Sequence, residues 1–156
     1  MLASLLEGVH PHLLLNHIPV VLMPSALLLL LAGVLFRSRD LERAGLVACV
    51  AAALSTLPVY WTGEPAEDVV RGLAGVAGPS IEEHAQSGSF ALAASLALGA
   101  VAAVAVFLSL RRGAAPRGAV AACVVLALLA AIVLARTAYL GGEIRHTEIH
   151  APPASD

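Results

Sequence analysis

The sequence predicts an all-α protein: an antiparallel four-helix transmembrane bundle with a short periplasmic amphipathic helix between the second and third spans. Three observations carry this reading. Of 156 residues, 59% are hydrophobic and 13% charged, whereas a soluble domain carries about 25% charged residues, so the chain lacks the polar surface to cover itself in water. Four apolar runs are long enough for spans of about 20 residues each. The charges between the runs are sorted by side. Arg37, Arg39, Arg43, Arg111, Arg112 and Arg117 fall in two short turns, and nine of the eleven acids fall on the opposite side. Residues 1–150 read as one four-span membrane domain and 151–156 as a disordered tail.

The segment before the first span has no basic region, and prolines interrupt the apolar residues after it. It does not read as a cleaved signal peptide, and the first span is expected to stay in the mature protein. That span runs from Ile18 to Phe36, with a possible start at Pro11; Pro19 and Pro24 lie near its beginning, where a missing amide donor costs least. The second covers Ala44 to Thr62, with Tyr60 and Trp61 at an exit that suits aromatic side chains at a membrane boundary.

The connection from Gly63 to Pro79 is the only long one. Glu64-Pro65 reads as a cap with proline at the first helical position. Ala66, Val69, Val70 and Leu73 recur at helical spacing, which predicts a surface helix lidding the mouth of the bundle. Ser80 with Glu83 fits a capping box, so the third helix is expected from Ile81 to Leu110. The fourth covers Gly118 to Leu140, and Gly141-Gly142 is expected to end it. The positive-inside rule puts the Arg-rich turns in the cytoplasm and both termini in the periplasm of a bacterial inner membrane.

Several chemistries are unsupported. Cys49 and Cys123 lie singly inside apolar runs, with no C-x-x-C for thiol redox work or haem attachment. No nucleophile–base arrangement appears. The basic residues sit in two short turns, which gives no nucleic-acid surface.

The histidines remain. His10, His12, His17, His84, His146 and His150 all fall on the periplasmic side once the chain is threaded. A single boundary histidine is most often a polar cap, but ionisable groups gathered at a membrane mouth point to a site. His17, beside Asn16 at the mouth of the first span, is the first candidate, and His84 is the second. Along the third helix Gly88, Ala91, Ser95, Gly99 and Ala103 form a stripe of small residues. The stripe serves either close helix packing or a flat groove for a planar cofactor. His146 and His150 are four apart but do not form H-E-x-x-H, so no zinc-protease helix is implied. Arg136, inside the last span, must snorkel outward or meet an anion.

His10-Pro11, His17-Ile18-Pro19, the Tyr60-Trp61-Thr62-Gly63 run, His84 opening the third helix and Gly141-Gly142 form an ordered pattern. In it the chain resembles a family of uncharacterised bacterial four-helix membrane proteins that share a His-Pro start, a histidine opening helix three and a late Gly-Gly. This chain has Asn16-His17-Ile18-Pro19 where the broader family is expected to have His-Phe-Pro. The resemblance implies a small cytochrome b-like protein with a histidine-lined site.

The expected function is therefore b-type haem binding for electron transfer, with His17 and His84 as axial ligands. Arg136 or Arg145 would lie near the propionates, and His146 is the substitute ligand. One rival is a divalent metal or copper site from His10, His12, His17, His84 and His146 with nearby carboxylates. The other is a cofactor-free accessory subunit packed beside larger membrane subunits. Expected partners are the lipid bilayer and a redox partner or other membrane subunits.

Overall fold

A computed structural model of the chain describes residues 9–73, 76 and 78–145, which form helices and turns with no strand among them. The helices are α1 His10–Leu15, α2 His17–Phe36, α3 Arg39–Arg71, α4 Gly78–Arg112 and α5 Arg117–Arg145. Asn16, between α1 and α2, keeps right-handed helical angles and donates its N–H to His12 O at 3.0 Å. The first two helices therefore act as one rod. Among the described residues there are four such rods, each long and apolar enough to cross a membrane.

Local chemistry sets the turns. Arg37 adopts a left-handed conformation, φ 52°, while Ser38 N donates to Gly33 O at 2.9 Å. This closes α2 in the manner usually reserved for glycine, and the arginine backbone there costs about 1–2 kcal/mol. Ser38 then caps α3 by accepting from Leu41 N, and Asp40 and Glu42 complement the positive end of the helix dipole. Gly33 is needed for this approach, because a β-carbon there would come within 2.6 Å of Glu42 N. Gly113, at φ 78°, makes the turn from α4 to α5.

Helix α2 packs on α3 and α5, and α4 packs on the same two, so α2 and α4 face each other diagonally; α1 lies against α3. Met23, Leu30, Leu46 and Leu98 are fully buried, and most of the remaining interior is alanine and cysteine. These small residues bring the backbones close: a β-carbon on Gly99 would lie 2.5 Å from Ala53 Cβ. The outward faces are bare hydrocarbon, with Leu35 75% exposed and Phe36 71%. A water-soluble monomer rarely presents such a surface.

The structure departs from the sequence expectations at three places. No separate amphipathic helix follows Gly63; α3 runs unbroken through Gly63 and Pro65 to Arg71. Burial of Ala66 and the Glu67–Arg71 pair one turn apart, 2.6 Å, hold that extension together. Val69 and Leu73 are exposed, so the expected apolar lid is not formed by them. Ser80 lies inside α4, which begins at Gly78, and so does not cap it. Gly141-Gly142 does not end the last helix, which continues to Arg145. At Gly63, Pro65 and Gly141 the helix continues through residues of low helix propensity, as tertiary context commonly allows.

Candidate functional site

Two histidines meet at one end of the bundle. His12 on α1 places Nδ1 3.0 Å from Val59 O of α3, with Thr62 Oγ1 3.4 Å away. His84 on α4 places Nδ1 3.0 Å from Thr137 O of α5. A carbonyl only accepts, so each Nδ1 carries a proton, and in the neutral ring each Nε2 keeps a lone pair for a ligand. Neither Nε2 forms a hydrogen bond within the described residues. The ring centroids are 6.3 Å apart and the planes stand at 81°. Both residues are partly buried.

The rings rest over glycines. A β-carbon on Gly63 would lie 3.7 Å from His12 Cε1, and one on Gly141 would lie 3.0 Å from His84 Cε1. Beneath His84 a part-buried hydroxyl bridge ties α4 to α5. Thr137 Oγ1 donates to Val133 O at 2.9 Å, so in its 2.7 Å contact with Ser87 Oγ the serine is the donor. Carbonyl anchors of this kind fix the tautomer and orientation of metal-binding imidazoles.

The other sequence candidates are dispersed. His17 is exposed, and its ring turns back to Leu13 O at 2.8 Å, so it does not meet His84. His10 is exposed. Arg136 pairs with Glu83 at 2.7 Å, both more than half exposed; such a pair contributes about 0–1 kcal/mol. Arg71 joins Glu67 and reaches Glu82 at 3.9 Å. Arg145 closes α5, but its side chain, His146 and His150 lie outside the described residues. Among the described residues, no three His, Cys, Asp or Glu side chains gather as a metal site. The small-residue stripe on α4 is used for packing: Ala91, Ser95 and Gly99 are buried against neighbouring helices, and Ala103 faces outward.

Sequence reasoning ranked His17 above His12 because of its neighbour Asn16 and its place at the apolar boundary. The signal for His12 was periodicity. It lies in line with Pro19, Met23, Ala26, Leu30 and Gly33, the buried stripe of the first rod, whereas His17 sits off that stripe. The anchoring carbonyls of Val59 and Thr137 had no signal, since any residue supplies one.

Fold and site together define an all-helical bundle of membrane-span length with paired, carbonyl-anchored imidazoles at one end. Compared with protein-family models, curated proteins and solved structures, the chain matches none.

Proposed function

We propose that the chain is an integral protein of a bacterial inner membrane, an antiparallel four-helix bundle that binds haem b at its periplasmic end and transfers electrons there. The orientation is supported by the arginines: Arg37, Arg39, Arg43, Arg111, Arg112 and Arg117 all border the two turns opposite the histidines. Helices α3 and α4, of 33 and 35 residues, are about 50 Å long at the usual rise. They exceed a hydrocarbon core of about 30 Å, which leaves His12 and His84 near its boundary.

The observation that carries the haem reading is the pair of carbonyl-anchored imidazoles 6.3 Å apart. A metal held in line between two imidazoles lies about 2 Å from each nitrogen, with each ring centre about 1 Å further back, which gives about 6 Å between centres. Donor count supports the haem reading over the ion. A zinc-like ion takes about four ligands, three or more from protein, and two imidazoles fall short of that. They are the full protein share of an iron porphyrin with two axial histidines, because the macrocycle supplies the other four nitrogens.

His12 therefore replaces His17 as the proposed partner of His84. The chain's own residues hold the proton on each Nδ1, keep each Nε2 unprotonated and fix the ring planes through Val59 O and Thr137 O. The filled interior from Met23 downward restricts any planar group to the histidine end. Arg136 would reach a propionate by exchanging Glu83, its exposed partner. A haem held by His12 and His84 would supply one-electron transfer there.

The visible spectrum of the protein purified from membranes is the test. A Soret band that shifts or vanishes in His12→Ala and in His84→Ala, but not in His17→Ala, is expected. A full, unshifted spectrum in both of the first two variants rejects the axial assignment. A metal ion without a Soret band supports the ion-binding alternative.

A further inference from the structure

The hydrogen bond from His12 to Val59 O has a counterpart in the bond from His84 to Thr137 O, and the correspondence runs the length of the bundle. A step of 72 positions, from His12 to His84, carries every buried residue of α2 onto a buried residue of α4. Pro19 maps to Ala91, Met23 to Ser95, Ala26 to Leu98, Leu30 to Ala102 and Gly33 to Ala105. A step of 78 positions, from Val59 to Thr137, carries Arg39, the first residue of α3, onto Arg117, the first of α5. The same step takes four of the seven buried residues of α3, Gly45, Cys49, Ala52 and Thr56, onto the buried Cys123, Ala127, Ala130 and Leu134, and the other three onto half-buried positions. It also takes Trp61-Thr62-Gly63 onto Tyr139-Leu140-Gly141. An aromatic residue and a ring-seating glycine thus recur in order, the glycine four residues beyond the anchoring carbonyl each time.

Helical periodicity alone would align buried faces at many shifts. It does not also align the ring-anchoring carbonyl, the glycine under the ring and the first residue of the helix. The side chains themselves mostly differ, so the repeat lies in depth and facing.

We propose that the bundle is a tandem repeat of one histidine hairpin, whose two imidazoles are equivalent ligands about a local twofold axis for one centre with two opposed open positions, a metalloporphyrin. The ligand class rests on the haem reading above; the symmetry rests on the contacts alone. Each hairpin supplies one ligand, one anchoring carbonyl and one glycine seat, and neither hairpin holds the centre by itself.

Zinc and iron porphyrins separate the two parts of the proposal, because zinc porphyrin takes one axial ligand and iron porphyrin takes two. His12→Gln and His84→Gln keep an amide N–H for the same carbonyls, so helix docking is preserved. Purified full-length protein in detergent is titrated with iron(III) and zinc protoporphyrin IX. Each single variant is expected to lose the six-coordinate iron spectrum. Each should still bind zinc protoporphyrin, with affinities within about threefold of one another, and the double variant should bind neither. Loss of zinc protoporphyrin in only one single variant overturns the equivalence. If the wild type binds neither porphyrin, the haem reading and the ligand class fail together. The symmetry is then read from nitrogen NMR of histidine-labelled apoprotein, in which each single variant should remove one Nδ1-protonated signal. A variant that leaves those signals unchanged overturns the repeat.

Discussion

The ring of His84 lies against the backbone of Gly141, where a β-carbon would stand 3.0 Å from Cε1 and 3.3 Å from Nδ1. The contact explains why a glycine is placed inside a helix that it weakens by about 1 kcal/mol relative to alanine.

Gly141→Ala sets helix propensity against the ring. The ring must move by a few tenths of an ångström, which stretches the bond to Thr137 O. Unfolding temperature is expected to hold or rise, while, on the proposed haem reading, affinity for haem falls by about tenfold. Gly142→Ala meets open space and should leave binding unchanged. Equal haem affinity in Gly141→Ala and wild type would remove the glycine's role as a seat.

Gly99 tests the close approach of α3 and α4. A methyl group there meets Ala53 Cβ at 2.5 Å, an overpacking expected to cost about 1–3 kcal/mol. Gly88→Ala, with nothing within 4 Å, is expected to be neutral or slightly stabilising. Thermal unfolding of both variants in one detergent checks the contrast, and equal midpoints would contradict the packing described.

Ser87→Ala removes the donor to Thr137 Oγ1 and should cost about 0.5–1.5 kcal/mol. Glu83→Gln breaks the exposed pair with Arg136 and should cost less than about 1 kcal/mol, with the loss shrinking as salt rises. Denaturation at low and high ionic strength distinguishes them: the serine effect should not respond to salt. A glutamate effect larger than the serine effect at physiological salt would reverse this ranking.

For orientation, a reporter joined after Asp156 should be active only if it functions outside the cytoplasm. Activity of a strictly cytoplasmic reporter at that position would move the histidines to the other compartment.

Much of the fold was legible because four apolar runs separated by charged turns admit few arrangements. The two misplaced helix ends, after Gly63 and at Gly141, share one physical cause. Gly63, Pro65 and Gly141 are helix breakers by local propensity, yet all three lie inside helices whose tertiary contacts outweigh that cost. Two of them have a use invisible from sequence, a ring resting on the backbone. The site was legible as a set of residues but not as a pair. His17 and His12 are five positions apart, which on a helix turns one outward when the other faces in. The inward choice followed from the stripe through Pro19 and Met23, a longer-range signal than the neighbouring asparagine.

Between the imidazoles at one end and the Arg43–Ser109 contact at the other, Met23, Leu98, Ala102 and Ala130 expose no surface at all. Most of that interior is apolar, interrupted by the buried hydroxyls of Thr56, Ser87 and Ser95. On the proposed haem reading, the bundle would be a terminal mounted on an insulator, its circuit closing sideways along one face of the bilayer.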